Sequence, residues 1–138
     1  MKLVNRCTIY RSPIYKYALT NLNLRSDKST NSNVISVIPK NSKLEVIDED
    51  DEWLKVKYDS REGYVYSDYV SISKHPWTNL NLRENESIES KSLVIIPQKS
   101  RVEILQNDGD WSKVVYNDII GYVFNYYLSD DSNKPSDL

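Results

Sequence analysis

The sequence predicts an all-β protein made of two small barrels or sandwiches in tandem. The first observation is an internal repeat, because TNLNLR at residues 20–25 returns at residues 78–83, and the same shift of 58 residues gives 23 identities in 56 positions without a gap. The second is an alternation of polar and apolar residues with a period of two, which is typical of half-buried strands. An internal repeat is stronger evidence for architecture than any local motif. The function to be explained is therefore that of a duplicated module.

About five short strands are predicted in each copy. In the first copy they are LNLR at residues 22–25, the aliphatic run that ends at Pro39, and the segments LEVI, WLKVKY and GYV at residues 44–47, 53–58 and 63–65. Polar breakers separate these segments, and none shows the 3.6-residue period of an amphipathic helix. Short strands joined by polar turns indicate small barrels.

The repeat predicts the domain organisation. Residues 1–15 form an N-terminal arm, residues 16–73 the first domain, residues 74–129 the second, and residues 130–138 a polar C-terminal tail that we expect to be frayed. Units of this size lie near the lower limit for independent folding, so neither core has room to enclose a substrate. A ligand is therefore expected on a surface, in a groove or at the junction between the two copies.

Charge and cysteine content argue against several classes of protein. The 18 Lys and Arg residues nearly balance the 20 Asp and Glu residues, with a net charge of -2, whereas nucleic-acid-binding domains concentrate positive charge. Cys7 is the single cysteine, so no intramolecular disulfide is possible. No apolar run is long enough to span a membrane, and the first residues lack the apolar stretch of an export signal. We expect neither a nucleic-acid nor a membrane partner.

Catalytic and metal chemistry are not indicated. A cysteine peptidase needs a Cys and a His in one cleft, but Cys7 lies in the predicted arm and His75 lies between the two repeats. The acidic run at residues 48–52 lacks the ligand spacing of a calcium loop and is better explained as a solvated turn. We therefore predict no catalytic residues, no metal site and no cofactor.

Glycine is scarce, so its positions are informative. Gly63 and Gly121 open the two GYV segments, where a missing Cβ either permits a positive φ or lets another strand approach closely. Gly109 lies in an NDGD turn, and its counterpart Asp51 tolerates a left-handed backbone. The same tight turn is therefore expected in both copies.

Aromatic residues are the strongest indication of a binding surface. Two small cores cannot bury all 11 Tyr, 3 Trp and 1 Phe, and exposed aromatic faces are favoured in binding patches. Packing in the core and exposure beside a groove both remain open for these side chains. The aromatic candidates for ligand binding are Trp53 and Tyr69 in the first copy, Trp111 and Tyr127 in the second, and Trp77, which with His75 and Pro76 is expected to fill the space between the barrels.

The polar residues of LNLR are the remaining candidates. Asn23 and Arg25, like Asn81 and Arg83, alternate with leucines and should face away from the core. They either brace the following loop through hydrogen bonds to its backbone, or the guanidinium groups pair with carboxylates of a ligand. Strict repetition is compatible with both interpretations.

The order of these motifs resembles the bacterial SH3 (Src homology 3) domain. The pattern runs from LNLR through a polar loop, LEVI, an acidic turn and WLKVKY to GYV and a terminal YVS, and it occurs twice over residues 16–72 and 74–129. The chain departs from the family pattern after Arg25 and Arg83, where Ser-Asp and Glu-Asn replace a Gly-Pro pair. The resemblance implies two tandem SH3-like barrels.

The resemblance also implies a function. Members of this family mostly serve as non-catalytic modules that hold peptidoglycan hydrolases and phage endolysins on the bacterial cell wall. The implied partners are peptidoglycan or its stem peptides, with a catalytic domain that lies outside this chain, and the implied location is extracellular or at the wall. With no export signal visible, release as a phage lysin or excision from a longer protein would account for that location. The alternative is a protein-interaction module that binds a partner peptide or a surface protein.

Overall fold

A computed structural model describes residues 13–135 of the chain. The chain forms two compact units, which divide between Tyr69 and Val70. Each unit contains one antiparallel sheet, and the all-β class predicted from the sequence is confirmed. In the described part of the chain, no helix has the length and apolar character needed to cross a membrane.

The first unit contains six strands. They are β1 (Ile14–Tyr17), β2 (Leu22–Arg25), β3 (Val34–Ile38), β4 (Lys43–Glu49), β5 (Trp53–Tyr58) and β6 (Arg61–Tyr66), followed by a 3-10 turn at Ser67–Tyr69. Their order in the sheet is β1-β4-β5-β6-β2-β3. The sequence predicts all of these except β1, because its first two residues, Ile14 and Tyr15, fall within the predicted N-terminal arm.

The second unit repeats this arrangement with one additional short strand. Its strands are β7 (Ile72–Pro76), β8 (Leu80–Arg83), β9 (Ser92–Ile96), β10 (Val102–Asp108), β11 (Trp111–Tyr116), β12 (Ile119–Phe124) and β13 (Leu128–Ser129), with a 3-10 turn at Asn125–Tyr127. The order in the sheet is β13-β7-β10-β11-β12-β8-β9.

The core of each unit consists of the alternating aliphatic residues that the sequence indicates. In LNLR, Leu22 and Leu24 are buried while Asn23 is exposed, which confirms the period of two. Burial of such a side chain is worth about 1.5–3 kcal/mol, so a few residues hold each small unit together. The corresponding fully or nearly fully buried residues of the second unit are Leu80, Leu82, Ile96, Val102, Val114 and Val123.

The tight turn between β5 and β6 repeats in the second unit, between β11 and β12. Asp59 and Ser60 have φ values of 52° and 65°, and their counterparts Asn117 and Asp118 have 48° and 65°. A two-residue hairpin turn with both central φ values positive matches the right-handed twist of its strands. Asp and Asn tolerate this conformation better than most residues, so these turns help to fix which residues of the two strands pair in each hairpin.

The expectation of identical acidic turns is wrong. Gly109 has a φ of 72°, whereas Asp51 is not among the residues with positive φ. In the first unit, the Asp50 carboxylate instead accepts hydrogen bonds from the backbone N–H groups of Glu52 and Trp53, at 3.0 and 2.9 Å. A side-chain acceptor thus closes a turn that glycine closes in the second unit.

Gly63 and Gly121 serve close approach between strands. A Cβ on Gly63 would lie 2.7 Å from the Arg25 carbonyl oxygen, and a Cβ on Gly121 would lie 2.7 Å from the Arg83 carbonyl oxygen. Neither glycine has a positive φ. The absence of a side chain therefore lets β6 and β12 cross β2 and β8 at the arginine that ends each LNLR segment.

The segment expected to join the barrels belongs to the second unit. His75 and Pro76 lie in β7 and pair with Ser129 and Leu128 of β13. The backbone N–H of Trp77 donates to the Tyr127 carbonyl at 3.0 Å. The sequence did not indicate a strand here because Pro76 interrupts it, but proline is tolerated at the end of a strand.

Candidate ligand-binding grooves

The first unit contains an open groove between the end of β2, the loop that follows it, and the strands β5 and β6. Its volume is about 480 Å³. The side chains around it are a mixture of aromatic rings, hydroxyl and amide groups and one guanidinium. The lining residues are Thr20, Asn21, Leu22, Asn23, Arg25, Thr30, Trp53, Tyr66 and Tyr69.

Three aromatic rings form one wall of this groove. Trp53 and Tyr66 are direct partners across β5 and β6, and their ring centroids lie 5.4 Å apart in an edge-to-face arrangement. Tyr69, on the following 3-10 turn, lies 5.8 Å from Tyr66 and is 49% exposed. Such contacts fix the rings while leaving part of their surface in water.

A second wall is formed by the loop after β2, which an arginine holds in place. Arg25 Nη1 donates to the carbonyl oxygens of Thr30 and Ser32, at 2.9 and 3.0 Å. Its repeat, Arg83, donates from Nη1 to the carbonyl of Ser90 at 2.9 Å. Of the two interpretations left open by the sequence, these contacts supply the first, in which the arginines brace the loop beside the groove.

The second unit builds an equivalent groove with a volume of about 400 Å³. Trp111 and Phe124 are cross-strand partners with centroids 5.4 Å apart, and Tyr127 lies 6.0 Å from Phe124. The groove is lined by Thr78, Asn79, Leu80, Asn81, Arg83, Ile88, Trp111, Phe124 and Tyr127. The repeat in the sequence therefore produces a repeated groove.

The two grooves differ in polarity. Thr30 and Tyr66 of the first are replaced by Ile88 and Phe124 of the second, so two hydroxyl groups are absent there. Ile88 is 72% exposed, which leaves an aliphatic side chain in water at the edge of the second groove.

Charged residues also differ between the two copies, in the loop that follows LNLR and in the acidic turn before β5 and β11. Lys28 Nζ lies 2.7 Å from the Asp50 carboxylate and ties the first loop to the turn before β5. The equivalent residues in the second copy, Glu86 and Asp108, carry like charges. The pair is exposed, so it contributes little to the stability of the fold and its main effect is to position the loop.

The pKa values of Asp50 and Tyr66 are shifted from their ordinary values. The hydrogen bond from Lys28, followed by those from the N–H groups of Trp53 and Glu52, lowers the pKa of Asp50 from 3.8 to about 2. The pKa of the Tyr66 hydroxyl is raised, because the carboxylates of Asp68 and Glu52 disfavour the phenolate.

The Asp50 shift predicts how the loop responds to acid. A carboxyl whose folded pKa is depressed stabilises the folded state above its unfolded pKa, and that contribution is lost as pH falls toward the folded value. We expect the Asp50 carboxyl carbon to titrate near pH 2 by NMR, and Lys28→Gln to move the midpoint toward 3.8. Lys28→Arg should keep a low midpoint. A midpoint near 3.8 in the unaltered protein would contradict the ion pair.

Most of the binding residues expected from the sequence are brought together. Eight of the nine line a groove: Asn23, Arg25, Trp53 and Tyr69 the first, and Asn81, Arg83, Trp111 and Tyr127 the second. Trp77 lies outside the groove lining, and its ring contacts Tyr126 and Tyr127 at 5.5 and 5.4 Å. The ninth residue is therefore adjacent to the second groove through Tyr127.

Several lining residues were not among those predicted from the sequence. Tyr66 and Phe124 stand at the ends of their strands, where only the pairing register reveals that they face Trp53 and Trp111. Asn21 was missed for a different reason, since its side chain accepts a hydrogen bond from Lys40 N at 3.0 Å and holds the turn after β3. The repeat of TNLNLR was the available signal for it.

The described residues show no arrangement typical of a metal site. Within residues 13–135, no group of three or more His, Cys, Asp or Glu side chains could hold a metal ion. His75 lies in β7, and its Nδ1 is 3.0 Å from the Ser100 carbonyl oxygen. Cys7, the single cysteine of the sequence, lies outside the described residues.

Comparison with known proteins supports a shared ancestry for both units. A model of the bacterial SH3 domain family matches residues 20–71 and 78–129. The chain is 26% identical over 137 residues to the "Putative N-acetylmuramoyl-L-alanine amidase YrvJ" of Bacillus subtilis (strain 168), a match that covers 84% of this chain and 26% of that protein. The chain thus spans much less than half the length of this relative.

Two solved structures show a distant similarity to the chain. NlpC2 and NlpC1 from Trichomonas vaginalis are 16% and 17% identical to it, with TM-scores of 0.41 and 0.40. Each match covers 88% of this chain, but only 49% and 47% of the two solved chains.

The family assignment depends on the matched segments. They contain β2 to β6 and β8 to β12, and with them every residue that lines the two grooves. The resemblance found in the sequence is confirmed over both repeats. The chain belongs to the bacterial SH3 domain family and carries two copies of that domain.

Proposed function

We propose that this chain is a non-catalytic module that binds bacterial peptidoglycan through its two grooves. The observation that carries the proposal is the repetition of one groove architecture, with a Trp, a second aromatic ring and a Tyr along one wall and an arginine-braced loop along the other. Ligand sites combine apolar surface with a few placed polar groups, and each groove offers both.

The shape of the grooves favours a segment of a polymer over a small enclosed substrate. Both are open clefts, and partly exposed rings such as Tyr69 line them. Rigid aromatic side chains supply contact area at low entropic cost, while neighbouring hydroxyl and amide groups can hydrogen-bond to a peptide or sugar. Stem peptides of the wall present both apolar and polar groups at close spacing.

Duplication suits a repeating ligand. When one groove holds a polymer, the second contact becomes intramolecular and the overall affinity rises without any new interaction. A cell wall offers the same element many times on one insoluble particle. Two shallow sites on one chain can therefore retain a protein on a wall even when each is weak.

The relative suggests what such a module serves. The Bacillus subtilis protein is named as an N-acetylmuramoyl-L-alanine amidase, and this chain matches 26% of its length. The proposed role is to hold a wall-lytic enzyme, supplied by a catalytic domain beyond this chain, on its substrate outside the cell. The grooves themselves then need no catalytic groups.

Sedimentation with purified sacculi tests the proposal. We expect the protein to be depleted from the supernatant when sacculi are spun down, with no release of soluble wall fragments. Depletion that requires an added protein, or none at all, would point to a module that binds a partner peptide. Release of fragments by the chain alone would identify an enzyme and overturn the non-catalytic assignment.

A further inference from the structure

The aromatic surface of the second groove continues beyond its lining. Tyr127 contacts Phe124 on the groove side at 6.0 Å, and on its other side it contacts Tyr126 at 5.2 Å and Trp77 at 5.4 Å. Trp77 Nε1 donates to the Tyr126 carbonyl oxygen at 3.0 Å, which fixes the indole in place. A pair of rings thus extends the groove.

The first copy lacks this extension. Leu19 and Asp68 occupy the positions equivalent to Trp77 and Tyr126, so this pair of rings is not repeated there. Tyr126 is 57% exposed, although burial of so large a ring would add stability. Its exposure beside a groove is typical of a contact surface.

The chain places one of its own ammonium groups on this pair. Lys134 Nζ lies 5.4 Å from the centroid of the Trp77 ring. Lys134 lies in the C-terminal tail, which the sequence predicts to be frayed. An ion pair between Lys74 and Asp130, at 2.5 Å, holds the start of this tail on the second unit. The negative face of an indole attracts a cation, and this contact shows that the ring face accepts one.

We propose that Trp77 and Tyr126 form a subsite of the second groove for a primary ammonium group of a wall peptide, and that Lys134 occupies it in the unbound chain. The inference rests on the function proposed above and adds the chemical group that the extension recognises. An exposed cation–π contact is weak, so a ligand ammonium that is also held by the groove displaces Lys134. The first groove has no such subsite.

Acetylation of the wall amines tests this assignment. Sedimentation is measured with native sacculi that carry free peptide amines and with the same sacculi after treatment with acetic anhydride. We expect Lys134→Gln to bind native sacculi about two- to fivefold more tightly, because it removes the competitor. Acetylation should weaken binding of both proteins and abolish the advantage of Lys134→Gln.

A variant in which Trp77 is replaced by the equivalent residue of the first copy tests the subsite, and a variant of the first copy is its control. Trp77→Leu introduces the residue found at the equivalent position 19, and it should remove the response to acetylation while circular dichroism shows that the variant remains folded. Leu19→Ala, its counterpart in the first copy, should leave that response unchanged. Lys134 lies in the tail, so Lys134→Gln leaves the core intact.

The outcomes distinguish failure of the proposed wall-binding function from failure of the ammonium subsite alone. Failure of the unaltered protein to bind native sacculi overturns the proposed function and the subsite with it. Binding that acetylation does not change, or that Lys134→Gln does not improve, overturns the ammonium subsite alone. If Trp77→Leu weakens binding to native and acetylated sacculi equally, the rings hold an uncharged group and the assignment to an ammonium fails.

Discussion

Replacing both groove tryptophans, Trp53→Ala with Trp111→Ala, is expected to abolish sedimentation with sacculi. Each indole is one of the three rings that form its groove wall, with its partner ring 5.4 Å away. Loss of an aromatic side chain that anchors a ligand can remove about 2 kcal/mol or more of binding free energy, which corresponds to roughly thirtyfold in affinity. Either single variant keeps one intact groove, so its loss should be smaller than that of the double variant.

Folding must be separated from binding in this experiment. Both tryptophans are half-buried, so circular dichroism and urea denaturation should confirm that the double variant is folded at the temperature of the assay. Tyr15→Ala is a suitable control, because Tyr15 is 37% exposed and lines neither groove. A folded double variant that sediments like the unaltered protein would show that the wall is bound elsewhere.

The sequence was sufficient to predict β2 to β6, β8 to β12 and the equivalence of the two copies. Alternation in LNLR placed Leu22 and Leu24 in the core and Asn23 outside it, because residues two apart share one face of a strand. The shift between the repeats then transferred each assignment from the first copy to the second. Alternation within a strand and the repeat along the chain do not depend on which strands pair, so these predictions needed no knowledge of strand order.

The composition of the grooves could be predicted only in part. Trp53 and Tyr66 meet because β5 and β6 pair in one register, and a register is a long-range property that alternation does not specify. The role of Arg25 was undecidable for a related reason, since the loop carbonyls that it contacts become neighbours only when the loop folds back. The difference between Asp51 and Gly109 likewise required the backbone conformation.

The largest effect on stability is expected from Gly121→Ala. The new Cβ would lie 2.7 Å from the Arg83 carbonyl oxygen and 2.9 Å from Leu82 Cδ1, and backbone at that distance cannot move without separating β12 from β8. Overpacking of this kind costs about 1–3 kcal/mol, and occasionally more when backbone must shift. A domain of this size has only about 3–5 kcal/mol of stability, so we expect a large fraction of the second unit to be unfolded in mild urea.

Gly109→Ala separates this steric effect from a conformational one. A Cβ on Gly109 meets nothing within 4 Å, but the residue has a φ of 72°, which costs an alanine about 1 kcal/mol. Urea denaturation should therefore rank Gly121→Ala well below Gly109→Ala in stability, and Gly63→Ala should resemble Gly121→Ala because its Cβ would meet Arg25 in the same way. If Gly109→Ala proved the more damaging, the close strand crossing would not be the reason for glycine in GYV. The crossing of β12 over β8 also positions Arg83, which braces the loop of the second groove. The fraction of Gly121→Ala that remains folded should therefore bind sacculi more weakly than Gly109→Ala does.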